Sequence, residues 1–575
     1  MPQRRRFVAS YAALATLRVL VAFTSQSTIH PDEHFQNPEV AAALWFSYSS
    51  DGDAPLRTWE WLGDSPCRSV VPVLGSTGRA FQLLRLVLGS CAAALFASQR
   101  AVMLLLSFCT EYALWRVSRR SKLSLLLFAS SPVTFTLLLR PFSNSVETLL
   151  LAAAYLQLGK LGNRPSKVPL VGMGAVLAAG IFTRVTFAMF ALPLVLSVVI
   201  KLAPQTSTRI NDPSSLVRLV LAGSPAVAGF LATSLLHAAI DTAYFHSGEV
   251  CLYTALRTLA APRTLILTPL NLLRYNLSHD NLAEHGLHPR WLHAAVNAPM
   301  LFGAGLAIVW SGGADLLRGN KRTGLKRSDS EEMLLHLSCF VVPLGLLSLM
   351  PHQEPRFLLP LIVPLALLAP CTSLFPSGSR RAAKARKAVW ALWLVHSLIF
   401  TALFGYLHQG GLVPATLALN EHLRDSTSRL GAARVVNVVF WRTFMPPRHL
   451  LLPLAPEGVP VPAVRITDLA GAPVSTLRST LATLDHEASP VVLAAPAYAV
   501  EAHGLACMSA SPSATASTAV DSPAAPTPPS AVKRRCLEQL VPGRRSYGIH
   551  VDMDRLGDLA GARWDTAGVG LWMVE

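Results

Sequence analysis

The chain has 575 residues, 51% of them apolar and only 14% charged, with a mean hydropathy of +0.41. A soluble domain carries about 25% charged residues, so this composition excludes an ordinary soluble enzyme and points to a polytopic membrane protein. The formal charge of +17 does not imply nucleic acid as a partner, because the basic residues fall in short clusters between apolar runs, where they mark membrane topology.

Three arginines in residues 1–6 precede an apolar run over 7–22. No small-residue cleavage site follows, so the run reads as a retained anchor with a cytoplasmic N-terminus, and the polar stretch His30-Pro31-Asp32-Glu33-His34-Phe35-Gln36 falls on the lumenal side. Residues 37–79 carry Trp59-Glu60-Trp61 and Pro66-Cys67-Arg68-Ser69, the composition of an interfacial loop. The run 83–115 is interrupted by Gln99-Arg100, and the basic residues 116–122 stay cytoplasmic only if the run is one crossing plus an interfacial helix. Crossings over 122–139 and 143–158 flank a lumenal Arg140-Pro141-Phe142-Ser143-Asn144. Residues 170–201 are too long for one span at 1.5 Å per residue and break at Thr183-Arg184. A crossing over 216–240 leads to a second lumenal loop containing the glycosylation acceptor triplet Asn276-Leu277-Ser278. The same loop holds His279, His285, His288 and His293, whose spacing does not form a tetrahedral metal set. Crossings over 297–311, 333–350, 356–370 and 388–407 complete a set of about 11 and bracket Pro351-His352-Gln353-Glu354-Pro355-Arg356-Phe357.

The predicted organisation is a multi-pass domain over 1–410, with lumenal loops 25–80 and 241–295, and a small lumenal segment over 411–575. In that segment 547–558 and 568–575 read as short strands. The Ser/Ala/Thr/Pro run over 509–529 reads as disordered.

On this topology the isolated polar groups collect on one side: His30, Asp32, Glu33, Arg140, Asn144, Arg184, Asn276, His285, His288, His352, Glu354 and Arg356. A carboxylate there can accept the proton of an attacking hydroxyl while Arg or His holds a phosphate leaving group, which suits transfer of a sugar from a lipid phosphate. Asp32 and Glu33 are the candidate bases. A multi-pass transporter of a polar or anionic substrate draws on the same inventory, but it calls for polar residues deep in helices and an internal repeat, and neither is clear.

Four motifs carry a resemblance: His30-Pro31-Asp32-Glu33, the run 140–148 (RPFSNSVET), the run 281–290 (NLAEHGLHPR) and the run 352–357 (HQEPRF). Together they resemble the endoplasmic-reticulum mannosyltransferases that use dolichyl-phosphate mannose, over nearly all of 7–460, with an echo in 550–556. Gln353 and Pro355 are similar to the branch that adds the fourth mannose to glycosylphosphatidylinositol (GPI) precursors. Sister branches, acting at the third mannose step or on dolichol-linked N-glycan precursors, tend to have Lys where Gln353 stands. The resemblance implies an all-α polytopic fold of the GT-C glycosyltransferase type, an endoplasmic-reticulum membrane location with a lumenal site, and inverting transfer that forms an α-1,2 linkage. It implies dolichyl-phosphate mannose as donor and the third mannose of a GPI precursor glycolipid as acceptor, in a membrane lipid setting, with no cofactor, no metal and no obligatory protein partner. Asp32 matches the family's base, with Glu33 beside it. The substrate-binding positions it implies are His30, Arg140, Asn144, Arg184, Asn276, His285, His288, His352, Glu354 and Arg356. The 509–529 insert is not a family requirement.

Overall fold

A backbone in hydrocarbon has to satisfy its hydrogen bonds within its own segment, so the apolar runs of this chain fold as helices. The computed structural model describes residues 2–87, 91–162, 166–203, 213–248, 250–259, 265–278, 280–281, 286–319, 327–375, 380–454, 461–484, 489–505, 507–509, 534–553, 563 and 565–574. Among them, six helices are long and apolar enough to cross a membrane: Arg4–Thr24, Ala92–Val117, Val217–Ser247, His293–Arg318, Asp329–Ser348 and Ala383–Leu407. A bent pair, Lys122–Ala129 and Pro132–Leu139 at 53°, makes up to seven. The protein is a multi-pass membrane protein.

The other predicted crossings are helices too, but shorter: Lys167–Thr183, Phe187–Leu202 and Pro355–Cys371, together with Ser143–Lys160. Local chemistry shortens them. Ser131 caps the second half of the bent pair by accepting the Val133 N–H at 3.2 Å, and Pro132 takes the first helical position, where its missing N–H costs nothing. Arg184 leaves helical geometry altogether, at φ −156 and ψ 130. The run 83–115 divides into a short helix Arg79–Val87 and the crossing Ala92–Val117.

Helices Lys167–Thr183 and Pro213–Ser247 pack backbone to backbone. A Cβ at Gly174 would lie 1.8 Å from the Ala226 carbonyl oxygen, and one at Gly229 would lie 2.2 Å from that of Val171. In a bilayer, where apolar burial does not drive helices together, small residues permit this approach.

Beyond Leu407 the chain builds an α/β unit. Helix Leu412–Arg424 precedes, among the described residues, six strands: β1 Val435–Phe440, β2 Ala463–Asp468, β3 Val491–Pro496, β4 Cys507–Ser509, β5 Arg534–Gln539 and β6 Val569–Val574. Their order in the sheet is β2-β1-β3-β6-β5-β4, parallel across β2-β1-β3 and antiparallel thereafter. Strand β1 feeds both faces. Val436, Val438 and Phe440 pack with Leu412, Ala415 and Leu419, while Val439 packs with Trp441, Leu477 and Leu481. The predicted strand at 547–558 is corrected. Among its described residues only isolated bridges form, Tyr547 with Val569 and Val551 with His408, because Gly548 at φ 61 turns the chain across the backbone of Gly410. From residue 510 onward the 509–529 run lies outside the described residues.

The helix crossing yields a prediction. Gly174→Leu forces a side chain into the Ala226 backbone, and overpacking of this kind costs about 1–3 kcal/mol or more. The monodisperse fraction on detergent gel filtration should fall, whereas Gly223→Leu, with open space at its Cβ, should leave it unchanged.

Candidate active site

Pro31 starts a single helical turn, Asp32–Phe35, at the end of the first crossing. Neighbouring residues on a helix point about 100° apart, so Asp32 and Glu33 cannot face the same way. Asp32 keeps 28% of its side chain exposed and faces a cavity of about 360 Å³. Glu33 is fully buried on the opposite side.

On the cavity side, Arg356 Nη2 reaches Asp32 Oδ2 at 2.5 Å, and Gln36 Nε2 donates to the same oxygen at 2.7 Å. Arg356 Nε donates to Glu354 Oε2, so one guanidinium bridges two carboxylates. Burial alone would raise the Asp32 pKa, but Arg356 outweighs it and holds the carboxyl below its ordinary value. The same balance, with His352 adding to Arg356, holds Glu354 well below its own. His352 Nδ1 meets the Gly286 carbonyl at 3.1 Å and Nε2 meets Glu354 Oε1 at 2.9 Å. Both partners are acceptors, an arrangement that favours the protonated ring. Burial works against that charge, and the Glu354 hydrogen bond prevails and raises the His352 pKa. Burial, then Arg356, lower that of His30, whose Nδ1 accepts the Asp32 N–H at 3.2 Å.

The break after Thr183 places Arg184 in the cavity wall. Its guanidinium lies over the Phe357 ring at 4.9 Å, and its Nε sits 3.7 Å from Glu147 Oε2. Nε and Nη1 have no hydrogen-bond partner, so this cation has donors to spare. Glu147 is held by Thr186 Oγ1 at 3.0 Å and Asn144 Nδ2 at 3.3 Å. Across the cavity, Arg68 Nη2 pairs with Glu60 Oε1 at 2.7 Å, and the Trp59 and Tyr275 rings stack at 4.1 Å. The charged wall therefore sets Asp32, Glu60 and Glu354 against Arg68, Arg184 and Arg356, with His352 beside Glu354.

Of the predicted site residues, His30, Asp32, Arg184, Asn276, His352, Glu354 and Arg356 meet at the cavity. Asn276 lines it from helix Thr268–Leu277, while Leu277, next in its acceptor triplet, is exposed. Glu33, Arg140 and Asn144 do not line it, which corrects the expectation for these three. Arg140 Nε lies 2.8 Å from Glu33 Oε2, and Arg140 Nη2 donates to Ser27 Oγ at 2.5 Å and to the Ser27 carbonyl at 2.9 Å. His34 and Arg100 complete the Glu33 surroundings at 3.1 and 3.6 Å. These groups anchor the turn from behind. His288 is likewise outside the wall, its Nδ1 accepting the Gln353 N–H at 3.2 Å. His285 lies outside the described residues. The sequence prediction passed over Gln36, Glu60, Arg68, Thr186, Tyr275 and Phe357. The signals were present in the Trp59-Glu60-Trp61 strap and in Phe357 at the end of the last motif. Among the described residues no group of three or more His, Cys, Asp or Glu side chains could hold a metal ion.

The profile of the Alg9-like mannosyltransferase family matches residues 9–453. The chain is 33% identical over 526 residues to the GPI alpha-1,2-mannosyltransferase 4 of Homo sapiens, covering 84% of this chain and 82% of that one. It is 34% identical over 469 residues to the GPI mannosyltransferase 4 of Aspergillus oryzae, covering 77% of each. A solved structure of ArnT from Cupriavidus metallidurans in the apo state aligns with a TM-score of 0.49 at 12% identity, over 88% of this chain and 95% of that one.

The two faces of the turn separate in a stability measurement. Burial would raise the Glu33 pKa, but Arg140, His34 and Arg100 together lower it to about 2. A lowered folded pKa contributes stability above the ordinary carboxylate value that is lost as pH falls through the folded one. Removing one partner of a buried ion pair costs about 3–5 kcal/mol, so Glu33→Gln should lower the melting temperature sharply at pH 7, with the deficit shrinking below about pH 4. Asp32→Asn should cost far less at either pH.

Proposed function

The chain belongs to the Alg9-like mannosyltransferase family, and from that premise we propose that mannose leaves its lipid phosphate in the cavity faced by Asp32. The protein is a glycosyltransferase, an α-1,2-mannosyltransferase of GPI-anchor synthesis. Our reading of its reaction has dolichyl-phosphate mannose as donor and the third mannose of a GPI precursor as acceptor. It puts the site on the lumenal side of the endoplasmic-reticulum membrane, in a GT-C type fold of about 11 crossings if every short apolar helix counts as a span.

One observation carries the reading: an ionised carboxylate and a cation with spare donors line the same cavity at the end of the membrane helices. Asp32 accepts the proton of the acceptor hydroxyl as its oxygen attacks the anomeric carbon. The bond from that carbon to the phosphate oxygen breaks, and the phosphate leaves with the electron pair. Because attack and departure take place on opposite sides of the carbon, the anomeric configuration inverts. Arg184 is the cation best placed for the departing charge, since its nearest carboxylate is 3.7 Å away while Arg356 is engaged by two. A planar guanidinium can give two charge-assisted bonds to phosphate, and His352, whose pKa Glu354 raises, stands beside it in the same wall. The stacked pair of Trp59 and Tyr275 gives the cavity an aromatic side against which a sugar can pack.

General-base assistance is commonly worth about 100- to 10,000-fold, or roughly 3 to 5 kcal/mol. Asp32→Asn should therefore lower kcat by that factor in reconstituted membranes, at a normal protein level. Near-normal transfer would remove Asp32 from the chemistry. Arg184→Lys keeps the charge and loses the fork, so it should raise the donor KM and lower kcat together. Cells lacking the protein should accumulate a three-mannose GPI intermediate. A truncated dolichol-linked oligosaccharide in its place would point to a sister reaction.

A further inference from the structure

We propose that the C-terminal α/β unit fixes the position of Asp32 through the buried pair of Glu39 and His449, which makes His449 a positioning residue for transfer. The proposal rests on the reading of Asp32 as the base.

His449 belongs to the short helix Arg448–Leu451, between β1 and β2, and Glu39 belongs to helix Pro38–Trp45, which follows the catalytic turn after Gln36 and Asn37. Both side chains are 0% exposed. His449 Nδ1 lies 2.9 Å from Glu39 Oε1, and the His449 backbone N–H donates to the same oxygen at 3.0 Å. The other oxygen accepts the Leu56 N–H at 2.9 Å. One carboxylate thus ties together its own helix, the strap leading to Trp59 and the C-terminal unit. Leu450 and Leu454 pack with Val40, Ala41 and Ala42 around this knot.

The path from the knot to Asp32 is short. The His449 ring is 5.8 Å from that of His34, which sits in the catalytic turn, and Gln36 at the end of the turn donates to Asp32. The turn is therefore gripped twice. Glu33 is held by Arg140 and Arg100 from the membrane helices, while His34 and the following helix abut His449. If only the first grip remained, the turn could pivot about Glu33 and carry Asp32 away from Arg356. A displacement of about 1 Å at a reacting group can cost on the order of 100-fold in rate.

The test uses full-length protein in lipid, with His449→Asn, His449→Gln, His449→Ala and Asp32→Asn made in parallel. Asn places an N–H near the site of Nδ1, while Gln extends past it. His449→Ala and His449→Gln should lower kcat about 10- to 100-fold, with the donor KM within about threefold of wild type because Arg184 is untouched. The acid limb of kcat/KM should move to higher pH in both, since a carboxyl drawn away from Arg356 loses the cation that keeps it ionised. His449→Asn should restore rate and profile. If His449→Ala does not accumulate, the contrast between Asn and Gln decides by itself. Equal behaviour of Asn and Gln, or a wild-type rate and acid limb in folded His449→Ala, overturns the proposal. The base assignment fails separately, on a wild-type rate in Asp32→Asn.

Discussion

Arg356 stands between Asp32 and Glu354, and the rest of the site is arranged around that shared cation. A carboxylate at the edge of a bilayer loses much of its hydration, and it stays ionised only where a positive group replaces the missing water. The chain meets this requirement twice over one helical turn. Facing the cavity, Asp32 and Glu354 are balanced by Arg356 and His352. Facing the protein, Glu33 is balanced by Arg140, Arg100 and His34. The first set is partly open to solvent and available for chemistry. The second is closed and serves as anchorage. Two consecutive acidic residues thus acquire different tasks from the pitch of a helix.

The cavity exists because membrane helices stop short. The chain leaves helical geometry at Arg184 and around His352 to Glu354, and each of these interruptions delivers charged side chains to the cavity, while the break at Arg140 delivers one to Glu33 behind it. Irregular backbone is tolerated at membrane depth only where protein or water receives its polar groups. Over this opening the strap 57–62 and helix Thr268–Leu277 supply the aromatic wall. Arg184 and Arg356 come from the broken apolar segments, while Arg68, Trp59 and Tyr275 come from the long loops.

Much of this was legible in the sequence. Apolar runs separated by basic clusters gave the membrane class, and Thr183-Arg184 stood out as a break because a cation interrupts an apolar stretch. The cluster of His30, Asp32, Arg184, His352, Glu354 and Arg356 was visible as polar residues isolated on one side. Direction was not. Whether Asp32 or Glu33 faces the cavity depends on the start of a four-residue turn, which no periodicity announces. Arg140 has the same chemical capacity as Arg184, and only tertiary packing assigns one to anchorage and the other to the wall. Glu60, Arg68 and Tyr275 enter the site through the folding of a long loop, a non-local event. The strand over 568–575 was legible, as β6 Val569–Val574, but most of the sheet was not, for a related reason. With both faces of β1 packed, it lacks the alternation that marks a half-exposed strand and reads simply as Val-Val-Asn-Val-Val-Phe.

Glu39 and His449 lie 410 positions apart, and this separation bears on how the protein comes into being. At a synthesis rate of about 5–20 residues per second, the turn carrying Asp32 is made roughly 20 to 80 seconds before the residue that holds it from the other side. During that interval the membrane helices can insert and pair, while the acidic turn waits at the bilayer edge with half its support. Contacts that close last in synthesis also carry the largest loop-closure cost. The enzyme is thus completed from its C-terminal end, and a chain cut short there would hold every membrane-derived charge of the site without the grip that aligns them.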